Sequence, residues 1–290
     1  MTLLTETTTA TLDVPGAVLT YDVRRTDSVE PPLFLIGSPM AAAGFTSLAG
    51  YFPERTIITY DPRGSERSTK PDMTSQSTPD EHADDLHRVI EAVGGPVDLF
   101  ASSGGAVNAL ALVARHPGDV RTLVAHEPPL AALLPDHENA KAAARAVSDS
   151  YQRGGSGAGM AHFIAVVSHR GEFPDGFAEQ PAPDPAMFGM PSDDDGSRTD
   201  PLLGQNIITC THYEPDFDAL GRASTRIVMA AGVESEGEMA NRGAHAVADR
   251  LGSELVPFPS GHAGFLGGEY GQTGEPEAFA ATLRQVLERV

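Results

Sequence analysis

Two kinds of hydrophobic pattern alternate along the chain. Leu33-Phe-Leu-Ile-Gly37, Thr56-Ile-Ile-Thr-Tyr60, Val97-Asp-Leu-Phe-Ala101, Arg121-Thr-Leu-Val-Ala-His126, Arg226-Ile-Val-Met-Ala-Ala231 and Glu254-Leu-Val-Pro-Phe258 are short runs dominated by apolar and β-branched residues. Their length and their polar, Pro- or Gly-rich flanks predict strands, several of them buried on both faces. Pro79 to Val93 has the other pattern, with Leu86, Ile90 and Val93 at spacings of four and three. Thr78 can cap this helix, Asp80 and Glu81 sit in its first turn, and Gly94-Gly95-Pro96 ends it. The Ala/Leu/Val segment after Gly105, Glu238 to Leu251 and Glu277 to Val290 predict three more helices. Residues 10 to 25 read as two strands joined at Pro15-Gly16, after a short lead-in from Met1 to Ala10. Strand and helix alternate from residue 33 to 129 with short connections, which predicts an α/β fold: a mostly parallel sheet covered by helices on both faces.

The rhythm fails between residues 130 and 224. Asn139 to His169 reads as helical, interrupted at Arg153-Gly-Gly-Ser-Gly157, and is followed by a Pro-, Asp- and Gly-rich stretch from Gly171 to Gly204. The expectation is a core of residues 1–129 and 225–290 with an inserted cap of residues 130–224. The cap's Phe163, Phe173, Met187, Phe188 and Met190 could shape a pocket for a modest, partly apolar small molecule, or could simply pack the cap on the core.

Composition narrows the partners. The 290 residues carry a formal net charge of −20, against a nucleic-acid or anionic-membrane partner. The many acidic residues of the cap disfavour a strongly anionic substrate. The chain contains no apolar run long enough to span a bilayer, and Met1 to Ala10 lacks the basic and apolar regions of a signal peptide. A single cysteine, Cys210, precludes an intrachain disulfide, and together these features predict a cytoplasmic protein. No metal set is apparent: His162 and His169 stand seven apart without a completing ligand, and Asp193-Asp194-Asp195 lacks calcium-loop spacing. Nothing in the sequence calls for a cofactor.

The chemistry-bearing residues lie at strand ends. In Ala101-Ser102-Ser103-Gly104-Gly105, small residues two positions either side of Ser103 suit a sharp strand-to-helix elbow that presents a strained serine. A serine hydroxyl needs a base within hydrogen-bond reach, and the base needs an orienting carboxylate. His262 lies after the last strand in the small-residue loop Pro259-Ser-Gly-His-Ala-Gly-Phe265. Such a loop can carry an imidazole over the carboxyl edge of the sheet, where open α/β sheets bind ligands.

With these pieces in order, the chain resembles the α/β-hydrolase superfamily from about residue 15 to 290. Ile36-Gly-Ser-Pro39 resembles the family's His-Gly-x-Pro, and Tyr60-Asp-Pro-Arg-Gly-Ser-Glu-Arg-Ser68 its Asp-x-Arg-Gly-x-Gly-x-Ser loop. Ala101 to Gly105 matches the nucleophile elbow and Gly261-His262 the histidine loop. Ile36 replaces the usual histidine, and Glu66 the second glycine of the Arg-Gly loop. The resemblance implies Ser103 as nucleophile, His262 as base, and the backbone N–H groups of Ser38 and Gly104 as the oxyanion hole. The third member has two candidates. Most of the family places the acid after the strand that follows the cap, where Glu234 and then Glu236 stand. A minority, including some haloalkane dehalogenases, places it after the strand following the elbow, where Glu127 stands beside Pro128 and Pro129. A carboxylate directly after a buried apolar strand needs a partner, which favours Glu127 narrowly over Glu234. The implied activity is a serine hydrolase, esterase-like, acting on a small acyl substrate. Lactone or carbon–carbon bond hydrolysis, cyclisation, acyl transfer, perhydrolysis and a non-catalytic binding role use the same scaffold.

Overall fold

The computed structural model describes residues 6–253 and 255–289. Its eight strands are β1 (Thr7–Val14), β2 (Ala17–Arg24), β3 (Leu33–Ile36), β4 (Ile57–Asp61), β5 (Val97–Ser102), β6 (Val120–His126), β7 (Arg226–Gly232) and β8 (Leu255–Phe258). Its helices are α1 (Thr46–Gly50), α2 (Pro79–Val93), α3 (Gly104–Arg115), α4 (His137–Val167), α5 (Ile207–Thr211), α6 (Phe217–Arg222), α7 (Met239–Leu251) and α8 (Pro276–Glu288). The strands form one sheet in the order β1-β2-β4-β3-β5-β6-β7-β8. Only the pairings of β2 with β1 and β4 are antiparallel; those from β4 through β3, β5, β6 and β7 to β8 are parallel.

Burial follows from this layering. Every residue of β3 and β5 is buried, because helices cover both faces. On one side, Ala83, Leu86 and Ile90 of α2, the apolar length of α3 and Val247 of α7 pack on the sheet. On the other, Leu48 of α1, Phe265, and Phe279 and Leu283 of α8 do so. Asp98 of β5 is fully buried and accepts hydrogen bonds from Arg55 (2.7 Å) and Arg121 (2.8 and 2.5 Å). The α2 start has the grammar its sequence predicts: the Thr78 side chain accepts from Glu81 N, and the Glu81 carboxylate accepts from Thr78 N.

Some boundaries differ from the sequence-based expectation. β1 begins at Thr7, so Thr7 to Ala10 belong to the sheet rather than to a lead-in; antiparallel pairing with β2 recruits them. Glu238 is the N-cap of α7 rather than its first residue. The expected positions of Glu254 in β8 and Val290 in α8 lie outside the described residues. α5 and α6 are too short to show a hydrophobic period.

Between β6 and β7 lie α4, α5 and α6: Leu203 and Ile207 cluster with Ala143, Val147 and Tyr151 of α4, while Cys210 and Leu220 join the main core. The glycines of α4 break it into two helical arms, as the sequence predicts: Gly155 has the non-helical angles φ 75° and ψ −168° and folds the second arm back on the first. Ser150 Oγ and His162 Nδ1 are therefore 2.8 Å apart, whereas twelve residues of straight helix would separate them by about 18 Å. The two arms touch at Gly159, where a Cβ would sit 2.7 Å from Tyr151 Cβ. Among the described residues, no helix is long and apolar enough to cross a membrane.

Candidate active site

Ser103 occupies the turn between β5 and α3 with φ 58° and ψ −128°, a conformation that costs energy for any residue with a Cβ. The glycines that follow let the turn pass close to the loop after β3. A Cβ on Gly104 would lie 2.5 Å from the Ser38 carbonyl oxygen, and one on Gly105 would lie 2.8 Å from Gly37 Cα. The elbow is further tied to β6 by Ser103 N donating to His126 O at 2.9 Å. Gly104 is the first residue of α3, so its N–H has no intrahelical acceptor. No acceptor among the described residues takes the Ser38 N–H either, and both residues line one cavity with Ser103 and His262. The structure thus gathers two free donors, a hydroxyl and an imidazole at one place.

Glu127 directly follows β6, also at positive φ (49°), and is fully buried. Its Oε2 lies 2.6 Å from His262 Nδ1. Its Oε1 accepts from Gly232 N at 2.9 Å, from Asn241 Nδ2 at 3.3 Å and from the Ser235 hydroxyl. Burial pushes the Glu127 carboxyl up, but the His262 hydrogen bond, the neighbouring rings and Ser235 outweigh it and hold the pKa at about 2. His262 moves the other way. Burial pulls it down, while the hydrogen bond and charge of Glu127, with a smaller contribution from Glu238, raise it above its ordinary value of 6.5. Because Nδ1 is committed to Glu127, Nε2 is the nitrogen left to exchange a proton.

The other candidate acids are elsewhere. Glu234 is exposed and accepts from Ser260 Oγ at 3.2 Å. Glu236 is exposed, and its carbonyl, like that of Glu234, accepts from Arg170. The pocket candidates also divide. Phe163 and Met190 line the cavity. Phe173 is instead buried against His169 and Phe177, Met187 is 78% exposed, and Phe188 does not reach the cavity wall. The cavity has a volume of about 480 Å³, and Met160, Ile164, Leu202, Ile207 and Met239 add to its apolar wall.

Several supporting residues carry no signal of a role in the sequence. His126 sits behind His262, ring centroids 5.9 Å apart, among Phe100, Phe258 and Phe279. Burial lowers its pKa to about 4, so it is neutral at pH 7. Ser235 and Asn241 are detectable only as small polar residues that a buried face leaves in need of a partner. A metal-capable set was also not apparent in the sequence. His87 from the middle of α2, His116 at the C-cap of α3 and Asp119 in the following turn have potential ligand atoms within 4.8 Å of one another. They are also engaged with carboxylates: His87 Nδ1 lies 2.7 Å from Asp119 and His116 Nε2 3.4 Å from Asp84.

Comparison with known proteins places the fold in a family. The sequence profile of the family described as "alpha/beta hydrolase fold" matches residues 33–154. The uncharacterized hydrolase YraK of Bacillus subtilis (strain 168) is 30% identical over 96% of each chain. The chain belongs to the α/β-hydrolase family. Among solved α/β hydrolases, MGS-M2 from a Medee basin deep-sea metagenome superposes with a TM-score of 0.69 at 15% identity, covering 97% of this chain and 98% of that one. A thermophilic esterase from Thermogutta terrifontis does so with a TM-score of 0.65 at 19% identity, covering 98% of both. As in other members of this α/β-hydrolase fold, the strands' carboxyl ends carry the concave site.

Proposed function

We propose that this α/β hydrolase is a serine esterase that acts on small, partly apolar acyl substrates through an acyl-enzyme. Ser103 Oγ attacks the acyl carbon while His262 Nε2 takes its proton. The developing oxyanion is met by the N–H groups of Ser38 and Gly104, donors of a kind that contribute a few kcal/mol each. His262 then passes the proton to the leaving group, and water repeats the sequence to release the acid. Glu127 holds the imidazole tautomer and stabilises the imidazolium. We assign residues 130–224 the role of a lid whose fold-back helix roofs the acyl pocket. The observation that carries this reading is the 2.6 Å contact of His262 with a buried, ionised Glu127, in a cavity that also contains the strained Ser103.

The esterase named among the structural neighbours supports the same class. Dehalogenation through an ester intermediate is disfavoured because it calls for a carboxylate nucleophile where Ser103 stands. A fluorophosphonate probe tests the assignment. Intact protein should be labelled at Ser103 and hydrolyse short p-nitrophenyl esters, and Ser103→Ala should lose both properties. Labelling that persists in Ser103→Ala overturns the proposal.

A further inference from the structure

The wall around Ser103 and His262 is mostly apolar, with one carboxylate, Glu238, and no lysine or arginine among its described residues. Glu238 is the N-cap of α7, yet its side chain makes no capping hydrogen bond, although an oxygen at this position ordinarily satisfies the first helical N–H groups. Its carboxylate goes elsewhere. Oε1 accepts from Arg170 Nη2 at 3.2 Å, and no hydrogen bond among the described residues engages Oε2. Arg170 is a weak counterweight. Its side chain is 57% exposed, against 23% for Glu238, and its guanidinium also donates to the Glu234 and Glu236 carbonyls at 2.7 and 3.3 Å. The negative end of the pair therefore faces the cavity, and the positive end faces water that screens it.

The place of this charge has a chemical meaning. In the proposed reaction His262 hands its proton to the departing oxygen or sulfur, so the leaving group is the part of the substrate beside His262. Glu238 lines the same cavity as His262, and its charge helps to raise the His262 pKa. We propose that Glu238 is a specificity residue that selects esters whose leaving group carries a cationic centre, such as an amino or quaternary ammonium alcohol, and disfavours those bearing a carboxylate. This inference rests on the esterase reading above.

Three acetyl thioesters test it: acetylthiocholine, its neutral isostere 3,3-dimethylbutyl thioacetate, and S-acetyl-3-mercaptopropionate, each followed by thiol release. The wild type should prefer them in that order by kcat/KM. Glu238→Gln should lower the cationic-to-neutral ratio by about tenfold, or about 1.4 kcal/mol, and keep fluorophosphonate labelling of Ser103. Glu238→Asp should retain the preference. His262 is faced by Glu127 from the end of β6, by His126 from β6 and by Glu238 from α7, so removing one negative charge should also move the acidic limb of kcat/KM to lower pH. A variant-free control uses the wild type alone: choline should slow labelling more than 3,3-dimethylbutan-1-ol. Equal cationic-to-neutral ratios in wild type and Glu238→Gln, or equal protection by the two alcohols, overturn the inference while turnover and labelling leave the esterase reading standing. Absence of turnover and labelling in the wild type overturns both.

Discussion

A carboxylate with no access to water remains ionised only if its surroundings replace the lost hydration. Around Glu127 an imidazole N–H, a backbone N–H, a hydroxyl and an amide do so. The consequence for turnover has a definite sign. His262 must be neutral to accept the Ser103 proton, so activity should rise with pH through a pKa above 6.5. Glu127→Gln should move that limb to lower pH and reduce kcat by roughly 10³- to 10⁴-fold, the scale seen when an orienting carboxylate is neutralised. Glu234→Gln should change kcat by less than about twofold. Comparable losses in the two variants would assign the orienting role elsewhere. At this scale the sequence offered both carboxylates without a decisive local signal, because strand adjacency, which sets Glu127 against His262, is a property of the assembled sheet. Ser103 was easier to recognise, since the strain of its turn imposes small neighbours within four residues.

At the scale of elements, the strands and the long helices were legible because burial on both faces, or on one helical face, writes a period into the chain. The fold-back of α4 was not. Arg153 to Gly157 reads as a break, and Gly155 at positive φ makes one, but nothing in the residue pattern says that the second arm returns along the first. The close approach of its two arms depends on Gly159, where an added Cβ would also meet Leu203 Cδ1 at 2.9 Å. Gly159→Val should therefore force the arms apart at a cost of about 1–3 kcal/mol, lowering Tm by roughly 2–8 °C. Because Met160 and Phe163 on the second arm line the cavity, KM should rise more than kcat falls. An unchanged Tm would mean the arms are not in contact.

For the whole molecule, the charge balance sets the response to acid. The ordinary pKa of a glutamate is 4.5, and Glu127 is held at about 2 in the folded state. A group with a depressed folded pKa contributes its full stability above the unfolded value and loses it as pH falls through the folded one. The Glu127 contribution should thus be complete above about pH 4.5 and lost toward pH 2. Denaturant unfolding between these values should show a shallower pH dependence in Glu127→Gln than in the wild type; parallel curves would remove Glu127 from the acid response. The same folded arrangement explains why composition was a poor guide to the cavity. A net charge of −20 belongs to the whole chain, whereas the cavity wall is mostly apolar, with Glu238 the one carboxylate among its described lining residues.

Cys210 is buried against the elbow, and a Cβ on Gly104 would come within 3.4 Å of its Sγ. Burial pushes its pKa to about 12, so the native thiol is almost entirely protonated and slow to alkylate at neutral pH. As the sole sulfhydryl in the sequence, it gives the protein a built-in clock. Because it also lines the cavity that holds Ser103, the rate of its alkylation measures how often reagent entry and thiolate formation coincide there. A cysteine introduced at the surface could carry a label without competition from the native one.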